Sequence, residues 1–206
     1  MFDRVIISSD ESRFLEYLPI VSKAWKKYFP EVKLTFAYLS NDKGTYLKKF
    51  VDDVLIFEPV DGVPTSNQAK MIRHLAASKY NDEVVMIEDI DTIPLQKNWF
   101  LEKTSKREKG TLLRVGSEVL EDGIFSDKIP ISTMTAEGYV WKEFINPLDL
   151  SYEELALSWM NPDGKTKDNK QSLGNHPDLF SDESLIQVLL SNSNVKQTKI
   201  RRDVDI

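Results

Sequence analysis

Two carboxylates one residue apart, Asp89 and Asp91, interrupt the run VVMIEDIDTIPL at residues 84–95, and no other residues of this chain are better placed to do chemistry. Val84, Val85, Met86 and Ile87 form the short continuous apolar run of a central strand covered on both faces. At the end of such a strand, side chains at i and i+2 point the same way. Asp89 and Asp91 are therefore expected to converge while Ile90 turns back into the core. Like charges held close repel, and a divalent cation with oxygen ligands is the usual relief. The plain alternative is a pair of solvated turn residues ahead of Pro94, and the strand in front of them puts the metal reading level with it.

The elements that must position this pair follow from the rest of the chain. At 206 residues the chain is long enough for one domain with a sizeable core, and 41% hydrophobic and 29% charged residues are ordinary for a globular protein. The net charge of -6 argues against an overall electrostatic grip on nucleic acid or anionic membrane, while leaving room for a local basic patch. With no cysteine there is no disulfide framework, thiolate chemistry or cysteine-based zinc site. The start, MFDRVIISSDES, enters a strand directly, and no segment approaches ~18 consecutive apolar residues, so no membrane span and a cytoplasmic location are expected.

The first half alternates. Val5 to Ser8, Lys33 to Leu39 and Val54 to Phe57 read as strands. Apolar residues at helical spacing from Phe14 to Phe29 predict a helical stretch that restarts near Pro19. Lys43 to Phe50 predicts a short helix, and a helix capped by Thr65 or Ser66 runs to about Tyr80, before the strand that ends at Glu88. This order predicts an α/β fold, a single doubly wound domain with a mainly parallel sheet. The regular pattern covers 1–95, and 96–206 makes up a more irregular, helical half of the same domain. In the second half, Thr111 to Val115 predicts a strand, Ala136 to Ile145 and Ser151 to Met160 helices, Asn161 to His176 a polar loop, Ser181 onward a helix, and Val195 to Ile200 an edge strand. In an open α/β sheet, ligands bind outside the carboxyl ends of the strands, where Asp89 and Asp91 are placed.

The first strand ending in SSDES, the segment QAKMIRHLAAS upstream of the acidic pair, VVMIEDIDTIPL itself, TAEGYVWKEF and the final FSDESLI together resemble the nucleotide-diphospho-sugar transferase, or A-type glycosyltransferase, superfamily. The resemblance implies that Asp89 and Asp91 hold a divalent metal, Mn2+ or Mg2+, against the diphosphate of a nucleotide-sugar donor. It implies that Ser8, Ser9 and Asp10 lie against the nucleoside, and that Lys70 or Arg73 approaches phosphate or ribose. A carboxylate or histidine near the end of the domain is also implied: Asp182 or Glu183 as catalytic base and His176 as a further metal ligand. The function expected is transfer of a sugar from the donor to an acceptor hydroxyl.

Each of these residues has a simpler reading. Asp182 and Glu183 suit the first turn of a helix capped by Ser181, His176 suits a surface loop, Lys70 and Arg73 suit a solvated helix face, and Trp141 and Trp159 suit the core. Two other functions stay open. One is an Asp-x-Asp phosphatase, although that family carries its pair on the first strand. The other is a non-catalytic nucleotide-sugar-binding module of the same fold. The loop from Asn161 to His176, with Gly164 and Gly174, is expected to order over bound nucleotide.

Overall fold

The computed structural model of the chain describes residues 1–11, 13–116, 132–159 and 182–200. Strands β1 (Arg4–Ser9), β2 (Lys33–Leu39), β3 (Asp53–Phe57), β4 (Val84–Ile87), β5 (Thr111–Val115), β6 (Met134–Glu137) and β7 (Lys196–Ile200) form one sheet in the order β3-β2-β1-β4-β6-β5-β7. β3, β2, β1 and β4 are mutually parallel; β6 runs antiparallel to both β4 and β5, and β7 lies parallel to β5 at the edge.

Period-2 alternation divides the core into two layers. Val5 and Ile7 of β1 and Leu34, Phe36 and Tyr38 of β2 face one layer, where helix α1 (Leu18–Tyr28) supplies Leu18, Val21 and Trp25, and helix α3 (Lys97–Ser105) supplies Phe100. Ile6, Ala37, Leu39, Val85 and Ile87 face the other. Helices α2 (Thr65–Ala77), α4 (Gly138–Ile145), α5 (Tyr152–Trp159) and α6 (Asp182–Ser191) cover that side. The sheet is thus covered on both faces, which is why its central strands read as continuous apolar runs.

Several local expectations are corrected. The segment read as one helix from Ala136 begins as β6, and its helix starts only at Gly138. The residue before α2 is Pro64, and neither Thr65 nor Ser66 caps it; both lie inside the first turn. The loop ahead is instead held by buried Gln68, whose amide accepts from Val60 N–H (2.9 Å) and donates to the carbonyls of Val60 (3.0 Å) and Val63 (2.8 Å). α2 stops at Ala77, short of Tyr80. The break at Pro19 is real: a 3-10 turn at Arg13–Tyr17 leads into α1 with proline in its first turn, the position that needs no N–H. Thr45–Lys49 is also a 3-10 turn rather than an α-helix. Trp141 and Trp159 are core residues, and Trp141 donates to the carbonyl of Val85 at 3.3 Å. No helix among the described residues is long and apolar enough to cross a membrane. Residues 161–176, including His176, lie outside the described residues, as does Ser181.

The amino ends of the strands are closed by one cation. Buried Arg4 bonds Glu83 (2.6 Å), Asp53 (2.5 Å) and Thr35 (2.5 Å), and its guanidinium lies 3.7 Å from the centre of the Tyr80 ring. This ties β1 to its neighbours at the end opposite the acidic pair. Close by, Gly138 lets the start of α4 approach the α2–β4 turn, its N–H bonding the carbonyl of Glu83 at 3.1 Å. A Cβ at this position would lie 2.2 Å from the Tyr80 carbonyl oxygen. Gly138→Ala should therefore cost about 2 kcal/mol or more, because backbone rather than a flexible side chain must move. A thermal midpoint unchanged by Gly138→Ala would show that this approach is not a constraint.

Candidate functional site

β1 has β2 on one side and β4 on the other, so the chain reverses direction across the sheet between β1 and β4. That reversal opens a crevice at the carboxyl ends of these strands. A cavity of about 350 Å3 occupies it. Ser8, Ser9 and Asp10 line it from the end of β1, Phe14 from the 3-10 turn that follows, and Asp89, Ile90 and Asp91 from the segment after β4. Ser66, Ala69, Lys70 and Arg73 complete the wall at i, i+3, i+4 and i+7, one stripe of α2. All seven residues expected to contact nucleotide or metal from the first 95 positions are thus brought together. Glu183 is half-buried and is not among the described residues lining the cavity, and the side chain of Asp182 lies outside the described residues.

The acidic segment is not extended. β4 stops at Ile87, and Asp89 to Thr92 form a turn closed by the Thr92 N–H to the Asp89 carbonyl at 3.0 Å. Asp89 and Asp91 share the cavity because of this turn and not because of strand alternation, while Ile90 is buried as expected. Arg73 orients the turn. It is 3% exposed, its Nη1 donates to the Glu88 carbonyl at 3.0 Å, and the same nitrogen is ion-paired with the Asp89 carboxylate. Arg73 is therefore no solvated helix cation, and repulsion between the two aspartates is relieved in part by the protein itself.

Sequence reasoning missed two residues. Glu88, taken as the last residue of the strand, is fully buried and accepts a hydrogen bond from Thr133 Oγ1 at 2.6 Å. Burial, reinforced by the neighbouring Asp89 charge, pushes its carboxyl up to about 7 against the pull of Thr133 and Arg73. Thr133 takes a left-handed backbone (φ 55°), a strained conformation for a β-branched residue, and its N–H bonds the Ile87 carbonyl at 3.1 Å. An unusual acid inside an otherwise apolar strand end was the available signal. Phe14 was read only as part of a helical stripe, yet it is 43% exposed at the cavity wall.

A hard divalent cation fits this donor set. Asp10, Asp89 and Asp91 all line the cavity, but no group of three His, Cys, Asp or Glu side chains that could hold a metal occurs among the described residues, which leaves the Asp89–Asp91 pair as the protein's donors. Phosphate and water oxygens would therefore complete its coordination.

The fold has solved counterparts. The chain superposes on the apo form of the glycosyltransferase GlyE of Streptococcus pneumoniae TIGR4 with a TM-score of 0.56 at 11% identity, covering 96% of this chain and 45% of that one. A second GlyE structure gives 0.52 at 9% identity, covering 97% and 46%. The chain thus has the glycosyltransferase-type α/β fold that its sequence resembles, and it spans less than half the length of GlyE. No family model and no curated protein matches the sequence.

The buried acid gives a pH signature. With its folded pKa at about 7 and its ordinary value 4.5, Glu88 keeps a proton in the fold that the unfolded chain releases, so its contribution is full below 4.5 and is lost as pH rises through 7. In metal-free buffer, the wild type should lose on the order of 3 kcal/mol between pH 5 and 8 relative to Glu88→Gln, which has nothing to titrate. Denaturant melts across that range provide the check, and parallel profiles would contradict the burial of an ionisable Glu88.

Proposed function

We propose that this chain binds a nucleoside-diphosphate sugar in the cavity between β1 and β4 and acts as a metal-dependent glycosyltransferase, moving the sugar to an acceptor hydroxyl. The observation that carries the reading is the convergence of Asp89, Asp91, Lys70 and Arg73 on one cavity at the strand-order reversal.

Each wall suits one part of such a donor. Phe14 offers an exposed ring face for a base, and the ends of Ser8, Ser9 and Asp10 offer hydroxyl and carboxylate partners for a nucleoside. Lys70, exposed on α2, places a point charge where phosphate oxygens would lie. Asp89 and Asp91 would hold the metal, with Asp89 fixed in advance by Arg73. Such a metal, when bound, supplies Lewis-acid stabilisation to the departing diphosphate. Arg73, already committed to Asp89, serves as the group that sets the carboxylate's direction rather than as a first contact for phosphate. The cavity leaves the acceptor side to residues beyond its walls, for which Asp182 or Glu183 remains our choice of base.

The two aspartates should respond differently. Asp91 is exposed, and Asp91→Asn should leave the thermal midpoint nearly unchanged while weakening Mn2+ binding by about tenfold or more in calorimetry. Asp89→Asn removes a carboxylate from a buried guanidinium and should in addition cost about 3 kcal/mol of stability. In the wild type, a nucleoside diphosphate should raise the midpoint far more with Mn2+ than with chelator, and a nucleoside alone far less. Nucleotide stabilisation indifferent to chelator and to Asp91→Asn would move the ligand elsewhere. Release of phosphate from a phosphoester, without turnover of a sugar nucleotide, would favour the phosphatase reading.

A further inference from the structure

From the outer surface of the α1 layer we infer a second binding function: this face docks on an anionic membrane surface. Leu18, Val21 and Trp25 turn α1 inward, which leaves Ile20, Lys23 and Lys27, spaced i, i+3 and i+7, along its outer side. The Thr45–Lys49 turn covers the same side of the sheet, anchored by Leu47 in the same core layer. A Lys26–Asp52 ion pair (3.9 Å) joins α1 to the end of that segment. Tyr46, Lys48 and Lys49 are exposed there. Both elements pack in the same layer, and their lysines are exposed on its outer side.

Large apolar side chains interrupt this surface. Ile20 is 56% exposed, and Tyr17 and Tyr46 are each 46% exposed. Among the described residues, Lys23, Lys27, Lys48 and Lys49 have no ion-pair partner. Of the acids on this side, Asp52 is ion-paired with Lys26, while Asp42, Glu11 and Glu16 keep their charge and are outnumbered by Lys23, Lys27, Lys48 and Lys49.

The chain as a whole carries -6, but charges more than about 10 Å from a lipid surface are screened at physiological salt, so the local lysines decide. Cations combined with exposed tyrosine and isoleucine suit a headgroup layer, where ammonium groups meet lipid phosphates and the apolar tips enter the acyl boundary. A nucleic acid would use the lysines and leave Ile20 without a role. Phe14, whose ring lies 6.3 Å from that of Tyr17, also lines the donor cavity, so docking on this face sets the cavity mouth beside the membrane.

Co-sedimentation of the whole chain with vesicles of equal parts phosphatidylglycerol and phosphatidylcholine, against phosphatidylcholine alone, tests this directly. Binding is expected to the anionic vesicles only. Lys23→Glu/Lys27→Glu/Lys48→Glu should lower partitioning by about tenfold or more, whereas Lys79→Glu/Lys109→Glu/Lys196→Glu, an equal charge change on exposed lysines elsewhere, should leave it near wild type. Tyr17→Ser/Ile20→Ser should lower it severalfold at unchanged charge. No pelleting with anionic vesicles, or equal losses from the two lysine triples, overturns the proposal. So does full binding by the Tyr17→Ser/Ile20→Ser variant with RNA competing, which would mark a general polyanion surface. The vesicle measurement is independent of whether the cavity takes a nucleotide.

Discussion

The buried guanidinium of Arg73 is the interaction on which the rest of the site depends. It sits 3% exposed on α2 and reaches across to the end of β4, where one nitrogen serves both the Glu88 carbonyl and the Asp89 carboxylate. A cation at that depth is stable only with its charge matched, and a turn carrying two aspartates is stable only with some of its charge offset. Each requirement meets the other. The ion pair fixes α2 against the acidic turn, and the stripe of α2 that includes Arg73 becomes the cavity wall.

The three acids of the sequence EDID are then handled in three different ways. Glu88 is buried and raised to about 7, so at neutral pH it adds less than a full charge beside the turn. Asp89 is half-exposed and held by Arg73, and Asp91 is exposed at the cavity. An electrostatic gradient results, running from a partly protonated acid in the core to an open carboxylate at the surface within four residues. A hard cation brought in by a diphosphate would meet one oriented and one adaptable carboxylate, which suits a metal that arrives and leaves with its substrate better than a permanently caged one.

The parallel half of the sheet was legible because its strands are apolar runs separated by turn residues and helical stretches, and the cavity residues followed from the rule that ligands gather at strand ends. What failed was local. β6, Met134–Glu137, runs without a break into α4, so helical periodicity absorbed Ala136 and Glu137 and its first two residues were not read as a strand. α3 has a weak apolar stripe, with Lys103 buried beside Phe100, and gave no helical signal. The proposed alternation of Asp89 and Asp91 assumed extended backbone as far as Asp91, whereas β4 stops at Ile87 and the chain turns at Asp89–Thr92, where Arg73 on α2 meets it. Glu88 stood out as an acid closing an apolar run, but its burial was not legible. Its partner Thr133 is distant, and a single acid at a strand end looks the same whether it is solvated or buried.

Anomalous diffraction at the manganese edge, from crystals grown with Mn2+ and a nucleoside diphosphate, tests the central claim most directly. The account requires a single strong anomalous peak within coordination distance of both Asp89 and Asp91, with diphosphate density between that peak and Lys70 and the base beside Phe14. A peak remote from the Asp89–Asp91 turn, or nucleotide bound outside the crevice between β1 and β4, would contradict it.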